Sequence, residues 1–166
     1  MYQYKIFETS LGWVGIISSS KGLIKSCLPK KNFNEVMKFI DNQEFRINKT
    51  EKLEKLSKTV IQYFDGIKIN LQNIQIDYHN SGSFINFWET CRKIPFGETR
   101  SYKWLANNSK KPKAYRYAGL SMSKNPLPLF IPCHRVISSD GNIGGFQGGS
   151  IMKKKLIELE KNNTIS

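Results

Sequence analysis

Residues 101–125, "SYKWLANNSKKPKAYRYAGLSMSKN", contain two short helical patterns separated by a break. Ser101 is a residue type that caps helices, and "YKWLANNS" follows it. "KKPK" then interrupts the chain, because proline does not continue a helix. "AYRYAGLSMSKN" predicts the second helix, with Ala114, Tyr117, Ala118, Ser121 and Met122 on one face and Arg116, Leu120 and Ser123 on the other. The pattern is that of a helix-turn-helix DNA-binding motif, but two short helices joined by a proline-containing turn are more often an ordinary helical hairpin.

The positive charge of the chain is concentrated around this stretch. The sequence carries 26 Lys and Arg against 13 Asp and Glu, and residues 83–166 hold 14 basic and 5 acidic side chains. Between residues 92 and 135, Glu98 alone opposes the basic residues Arg92, Lys93, Arg100, Lys103, Lys110, Lys111, Lys113, Arg116, Lys124 and Arg135. Such a density suits a phosphate backbone, although a solvated lysine-rich face has the same composition.

Composition indicates a cytoplasmic globular protein. The 166 residues are 39% hydrophobic, enough for one domain or two small ones. No stretch approaches the roughly 18 apolar residues of a membrane span, and "MYQYKIFETS" lacks the regions of a signal peptide. Cys27, Cys91 and Cys133 are widely spaced and odd in number, so at least one thiol should be free.

The first half of the chain predicts a small α/β domain. "YQYKIFET", "GWVGIISS" and "GLIKSCLP" are short strand patterns separated by turns, which predicts a three-stranded antiparallel meander. "NFNEVMKFI" and "TEKLEKLSKTVIQYF" predict helices, the second with Thr50 as N-cap and Gly66 just past its end. "NIQIDY" is a candidate fourth strand.

The polar stretch "HNSGS" at residues 79–83 separates this half from a helical second half. Ser83 or Gly82 is expected to open a helix through "FINFWETCRKI", and "PFGE" then turns the chain. We therefore expect two domains, residues 1–80 and residues 84–166, in an α/β (α+β) fold.

The segment "IPCHRV", residues 131–136, contains the most reactive candidate of the chain. A buried cysteine usually behaves as a small hydrophobe, but here an imidazole and a guanidinium follow Cys133, and cations favour the nucleophilic thiolate. If the segment is extended, Cys133 and Arg135 point to one side and His134 to the other, so a turn or a bridging water is needed to join thiol and imidazole.

Several motifs in order carry a resemblance to a known family. "FWETCRKIPFGETRSYKWLA", "YRYAGLSMSKNP", "NPLPLF", "IPCHRV", "GNIGGF" and "GGSIMKKKLIELE" closely resemble the O6-alkylguanine-DNA alkyltransferases, over about half of the chain. The resemblance implies a ribonuclease H-like N-terminal domain and a helix-turn-helix, winged-helix-like C-terminal domain. It also implies direct repair of O6-alkylguanine, and of O4-alkylthymine, in double-stranded DNA by a monomer that needs no cofactor.

The resemblance assigns roles to individual residues. Cys133 is the implied alkyl acceptor, His134 the base that acts through a water, and Glu160 the carboxylate that orients the histidine. Tyr102 is implied to donate a hydrogen bond to the leaving purine, and Asn125 to brace the turn before the cysteine segment. A thioether does not ionise or leave, so the protein is consumed in a single turnover.

The resemblance also implies how DNA and base are held. Arg116 matches an arginine finger that replaces the flipped base, on a helix that enters the minor groove. The other implied DNA-binding residues are Ala114, Tyr115, Tyr117, Gly119, Ser123, Lys103 and Lys113. "AYRYAG" departs from the family, which has small residues where Tyr115 and Tyr117 stand. The implied pocket residues are Met122, Pro128, Val136, Phe146, Gln147 and Gly148.

Three alternatives remain beside this interpretation. Some relatives bind zinc in the N-terminal domain, but this chain offers only Cys27 and His79 there, so no metal is predicted. A thiol hydrolase would also use Cys, His and Glu, but it would need an oxyanion hole and would not explain the basic helices. A non-catalytic sensor of alkylated DNA would lack the acceptor thiol, and Cys133 argues against it.

Overall fold

The start of the chain forms an antiparallel sheet because short β-prone segments are separated by glycine-containing turns. In the computed structural model, which describes residues 2–41, 47–50, 53–79 and 82–163, the strands are β1 (Tyr2–Thr9), β2 (Gly12–Ser18) and β3 (Leu23–Ser26). Phe7 lies opposite Val14 in the β1–β2 pair. The predicted three-stranded meander is confirmed.

A fourth strand, β4 (Ile47–Lys49), pairs parallel with β1 and completes the order β3-β2-β1-β4. The sequence did not predict it. The predicted strand "NIQIDY" is wrong, because Leu71–Asn73 forms a 3-10 turn and the segment meets β3 only at an isolated bridge between Ile76 and Leu23. The pairing stops where Asp77 accepts hydrogen bonds from the Ser19 hydroxyl and from its own loop.

Two helices accompany this sheet, α1 (Phe33–Asp41) and α2 (Glu54–Phe64). Val36 and Ile40 of α1 pack into a buried cluster with Ile17 and Ile24 of the sheet. Thr50 is wrong as the N-cap of α2, because the helix begins at Glu54 and Leu53 stands at the cap without a side-chain hydrogen bond. The end of α2 follows the prediction.

That end is a Schellman motif built on one glycine. Gly66 has a φ of +87°, and its N–H donates to the Tyr63 carbonyl while the N–H of Ile67 donates to the Gln62 carbonyl. Glycine adopts this left-handed conformation without the steric cost of a Cβ, so the helix stops here.

The chain divides into two compact units, Met1–His79 and Asn80–Ser166. The second unit contains a short parallel pair, β5 (Arg100–Ser101) with β6 (Val136–Ile137). Its helices are α3 (Ile85–Cys91), α4 (Tyr102–Asn108), α5 (Tyr115–Ser123) and α6 (Gly149–Asn162). Among the helices that the structure describes, none combines the length and the apolarity that a membrane crossing requires.

Helix α3 is shorter than the sequence predicts. Gly82 and Ser83 lie in a 3-10 turn with Phe84, which stands at the N-cap, and the α-helix ends at Cys91 instead of continuing to Ile94. Trp88 of α3 is buried, and its indole N–H donates to the Ser121 carbonyl of α5 over 2.8 Å. This bond fixes the second helix of the motif against the first part of the unit.

Helices α4 and α5 are the two predicted helices, and residues 109–114 join them. Ser101 caps α4 as predicted, since its hydroxyl accepts a hydrogen bond from the Trp104 N–H over 3.0 Å. On α5, Ala118, Ser121 and Met122 are buried while Arg116, Leu120 and Ser123 are exposed. The predicted division of this helix into a buried and an exposed face is confirmed.

The segment that leads from α5 to the cysteine is buried throughout residues 127–136. Asn125 holds it in a tight turn, and Leu129 within it has a φ of +78°, a left-handed conformation that is rare for a leucine. The extended conformation considered for residues 133–135 is wrong, because Cys133–Arg135 form a 3-10 turn. The turn replaces the alternation of side chains that a strand would impose.

Candidate active site

The Cys133 side chain lies at the boundary between the core and a cavity. The residue is only 3% exposed, yet it lines a cavity of about 470 Å³ in the second unit. The cavity is lined by Tyr102, Gly119, Met122, Ser123, Cys133, Ser138, Gly144, Gly145, Phe146 and Gln147. The thiol is therefore shielded from bulk water but accessible to a molecule that fills the cavity.

Asn125 fixes the position of the sulfur. Its side-chain amide donates to the Ile131 carbonyl over 2.8 Å and to Cys133 Sγ over 3.0 Å. Its side-chain oxygen accepts the Leu127 N–H over 2.9 Å. All three bonds are buried, so one side chain ties the end of α5, the buried segment and the thiol together.

A buried network surrounds the Glu160 carboxylate of α6. His134 Nε2 lies 2.7 Å from Oε1, and Arg135 approaches both oxygens, with Nε 2.9 Å from Oε2 and Nη2 3.0 Å from Oε1. The Gly97 N–H also donates to Oε2 over 3.0 Å. Burial raises the pKa of Glu160, but His134 and Arg135 outweigh it and hold the carboxyl well below its usual range. The group is therefore an anion at neutral pH.

The network sets the tautomer of His134. A carboxylate only accepts hydrogen bonds, so Nε2 carries the proton and donates it to Glu160. Nδ1 is buried and has no hydrogen-bond partner among the described residues. Burial lowers the pKa of His134, while Glu160 raises it, and the net direction is downward. The ring is consequently neutral at pH 7, with a free lone pair on Nδ1.

The cation that acts on the thiol is Lys153, which the sequence analysis missed. Burial raises the pKa of Cys133 to about 11, and the Asn125 amide and the Lys153 ammonium act against it. Arg135, the cation expected to favour the thiolate, is instead engaged by Glu160 and by the Ile94 carbonyl. The signal for Lys153 was its spacing from Glu160, because residues seven apart share one face of a helix.

Lys153 is itself enclosed. It has no exposed surface, and its ammonium donates to the Val136 carbonyl over 2.6 Å and to the Gly145 carbonyl over 3.3 Å. Its Nζ also lies 5.8 Å from the ring centroid of Tyr102 and 5.9 Å from that of Phe146. Burial lowers the pKa of Lys153 to about 8, so the side chain is mostly charged at neutral pH.

The loop 144–148 covers one side of the cavity. Gln147 anchors it, because its amide donates to the Ser123 carbonyl over 2.5 Å and to the Asn125 carbonyl over 3.1 Å at the end of α5. Gly144 has a φ of +75°, and a Cβ there would lie 3.3 Å from Ser138 Oγ and 3.8 Å from the Tyr102 ring. The left-handed backbone at this position favours glycine, whereas a Cβ would stand at an ordinary contact distance from the Tyr102 ring.

The predicted pocket residues are placed in two groups. Met122, Phe146 and Gln147 line the cavity, whereas Pro128, Val136 and Gly148 are absent from its lining in the described part of the chain. Pro128 and Val136 are buried in the core, and Gly148 stands at the exposed N-cap of α6. Ser138 lines the cavity and was not predicted.

The predicted DNA-binding residues are mostly on the surface of α4, α5 and the turn between them. Tyr115, Arg116, Ser123, Lys103 and Lys113 are exposed, and Ala114 and Gly119 are half-buried.

Tyr117 differs from this group, because its ring packs at 5.2 Å from Phe84 and 5.4 Å from Phe87 and its hydroxyl hydrogen-bonds Ser83 Oγ. Of the two unexpected tyrosines, Tyr115 is exposed and Tyr117 is half-buried.

Comparison with known proteins places the chain among DNA repair proteins. Residues 83–162 match the family model described as "6-O-methylguanine DNA methyltransferase, DNA binding domain". The chain is 35% identical over 162 residues to the methylated-DNA–protein-cysteine methyltransferase of Methanosarcina barkeri, covering 96% of this chain and 98% of the relative. It is 32% identical to the inducible enzyme of that name from Bacillus subtilis, covering 88% of this chain and 83% of the relative.

Solved structures agree at the level of the fold. The crystal structure of Mycobacterium tuberculosis OGT in complex with DNA superposes with a TM-score of 0.81 at 24% identity, over 97% of this chain and 94% of that one. The O6-methylguanine methyltransferase of the same organism gives a TM-score of 0.78 at 25% identity, over 98% and 94%. On the evidence of its close sequence relatives, the chain belongs to the methylated-DNA–protein-cysteine methyltransferase family.

Proposed function

We propose that this direct-reversal DNA repair methyltransferase transfers the alkyl group of O6-alkylguanine, and of O4-alkylthymine, irreversibly to Cys133. The observation that carries the assignment is a buried thiol that lines a cavity and lies beside a His–Glu pair whose free nitrogen has no described partner. No cofactor is required, because the sulfur itself accepts the carbon.

The reaction is an in-line displacement at the alkyl carbon. The Cys133 sulfur forms a bond to that carbon while the bond between the carbon and O6 of guanine breaks. With a thiol whose pKa is about 11, little thiolate exists at neutral pH, so a base must take the proton. His134 Nδ1 accepts it through a bridging water, and the adjacent Glu160 carboxylate stabilises the imidazolium that forms.

The leaving guanine needs a proton donor, and Tyr102 lines the same cavity. Burial raises the pKa of its phenol, and nearby Cys133 and Cys91 act in the same direction. The phenol therefore stays protonated at neutral pH and donates a hydrogen bond to the purine as negative charge develops. The product thioether on Cys133 does not regenerate a thiol, so each molecule acts once.

The damaged base of double-stranded DNA reaches the cavity when it is flipped out of the helix. The target atom is inaccessible inside a duplex, and unstacking costs a few kcal/mol. Arg116 on the exposed face of α5 fills the gap from the minor groove, and Tyr115 lies next to it at the start of the helix. Lys103 and Lys113 contact phosphates, with Ala114, Gly119 and Ser123 close to the DNA backbone.

We also propose the finer assignment of the two units. Residues 1–80 form a ribonuclease H-like domain, and residues 84–166 form a winged-helix-like domain that binds DNA and accepts the alkyl group. The division of the chain after His79 supports these boundaries.

The transfer itself is tested by mass spectrometry. After incubation with a duplex that contains one O6-methylguanine, we expect one methyl group per molecule, located on Cys133, and none on the Cys133→Ser variant. Cys91, which is fully buried, serves as the internal control and should stay unmodified. Repeated turnover by unmodified protein would indicate a hydrolase, and tight lesion binding without transfer would indicate a sensor.

The role of Lys153 gives a pH-dependent prediction. In Lys153→Met the thiol loses a nearby cation, so the pKa of Cys133 rises. We expect single-turnover transfer at pH 7 to fall about tenfold, because a rise of one pKa unit lowers the fraction of thiolate tenfold. Wild-type Lys153 loses its own charge as the pH rises through about 8. The ratio of wild-type to variant rates should therefore shrink above pH 8, as measured by rapid quench.

Lys154→Met is the matched control, because Lys154 is an exposed neighbour on the same helix. A rate ratio that stays constant from about pH 6 to pH 9 would contradict an electrostatic role for Lys153.

A further inference from the structure

Leu120 is an aliphatic side chain exposed on the surface of α5 close to Arg116. It is 44% exposed, and it shares the solvent face of the helix with Arg116 and Ser123. The Ser123 hydroxyl is occupied, since it donates to the Leu120 carbonyl over 2.7 Å. The face therefore offers one cation and one aliphatic side chain to whatever covers it.

The position of Leu120 relative to Arg116 follows from helix geometry. Residues four apart are neighbours on a helix surface and differ in direction by about 40°. Gly119 and Met122 diverge from Arg116 in the opposite sense, and these two line the cavity. Leu120 thus lies one turn beyond Arg116, on the side of it away from the cavity.

The charge around Leu120 indicates a polyanion as the occupant of this face. Lys124 follows one turn later, and Lys103 and Lys113 are exposed on the same helix pair. A protein partner that buried Leu120 would also bury these cations, whereas a DNA duplex neutralises them along its phosphates and presents base edges between them. Minor-groove proteins insert leucine and similar side chains between base steps to kink the duplex.

We propose that Leu120 enters the minor groove beside Arg116 as an apolar wedge, loosening the base step next to the lesion while Arg116 occupies the place of the flipped base. This proposal rests on the proposed function. It assigns the two side chains different tasks: Leu120 lowers the cost of opening the stack, and Arg116 holds it open. Because Leu120 lies on the side of Arg116 away from the cavity, its insertion into DNA leaves the lining of the cavity unchanged.

The experiment compares full-length Leu120→Ala with wild type on three substrates: a matched duplex containing O6-methylguanine, the same lesion in single-stranded DNA, and free O6-benzylguanine. We expect the single-turnover rate on the duplex to fall about tenfold, because the shorter alanine side chain buries less apolar surface against the DNA. The rates on the other two substrates should change less than twofold. Leu120→Met should restore the duplex rate, since methionine keeps an apolar side chain of similar volume.

Ile151→Ala is the matched control, because Ile151 is 74% exposed on α6 and loses the same kind of aliphatic surface. A duplex rate unchanged in Leu120→Ala would overturn the wedge. An equal loss on all three substrates would overturn it too, since that result indicates a structural role. A change of oligomeric state without a change of duplex rate would instead assign Leu120 to a protein contact.

A second readout keeps this proposal separate from the proposed function. In the Cys133→Ser background, a 2-aminopurine next to the lesion should become more fluorescent on binding as it unstacks, and Leu120→Ala should suppress that increase. If wild type fails to methylate Cys133, the proposed function fails, while the fluorescence still decides for or against the wedge.

Discussion

Glu160→Ala is expected to abolish transfer to Cys133 and to lower the free energy of unfolding of the protein by about 3–5 kcal/mol, the usual cost of removing one partner from a buried ion pair. The change removes the carboxylate from the buried Arg135 guanidinium, which keeps only its bond to the Ile94 carbonyl among those described. It also takes an acceptor from the half-buried Gly97 N–H and frees His134 Nε2. Denaturant unfolding measures the stability, and methyl transfer from duplex DNA measures the activity. Glu160→Gln keeps the shape and should lose less stability but most of the activity.

The same carboxylate predicts an acid limit for the fold. The pKa of Glu160 is depressed in the folded protein, so its contribution to stability is present above its unfolded value near 4.5 and is lost as the pH falls below it. Wild type should therefore lose stability between about pH 5 and pH 3 more steeply than Glu160→Gln.

Glu158→Ala provides the control on the same helix. Glu158 is 57% exposed and meets only a long ion pair with Lys154 at 3.8 Å in the described structure, so its loss should cost less than about 0.5 kcal/mol. If Glu160→Ala had the same free energy of unfolding as wild type, that result would contradict a structural role for the buried network.

Arg116→Ala is expected to slow repair of duplex DNA about 100-fold and to leave the reaction with a free alkylated base within about twofold. The expectation follows from the cost of holding a base out of the stack, a few kcal/mol, of which about 2.7 kcal/mol corresponds to a factor of 100. Single-turnover rates on the two substrates measure the effect. A lesion opposite a mismatch should suffer less, because less stacking is broken.

Lys155→Ala controls for the lost positive charge, since Lys155 is an exposed cation on α6. We expect it to alter the salt dependence of DNA binding slightly and to leave the ratio of the two rates unchanged. Equal losses on duplex and free base in Arg116→Ala would refute the finger assignment.

Local patterns predicted those parts of the fold that local physics determines. The meander of β1–β3, the Ser101 cap and the two faces of α5 follow from alternation, capping chemistry and helical periodicity. The predicted start of α2 was wrong, because the helix begins at Glu54 with Leu53 at its cap. The strand expected at "NIQIDY" was wrong, because Asp77 is held by Ser19, a contact distant in the sequence. The short strand β4 carries too little pattern to be recognised.

The candidate site divides in the same way. Cys133, His134 and Asn125 stand in a recognisable motif, and Glu160 follows at the family's spacing. The direction of the Arg135 side chain and the burial of the Lys153 ammonium against the Val136 carbonyl depend on a 3-10 turn and on the packing of α6. Neither can be read from neighbours in the sequence.

The hydrogen bonds from Gln147 to the carbonyls of Ser123 and Asn125 have a mechanical consequence. They attach the loop that covers the cavity to the C-terminal end of α5. If that helix tilts when it binds a nucleic acid, either the loop moves with it or both bonds break. The orientation of α5 on DNA and the shape of the cavity are thereby coupled. Because such coupling is reciprocal, a molecule that binds in the cavity and displaces the loop also changes how α5 binds DNA.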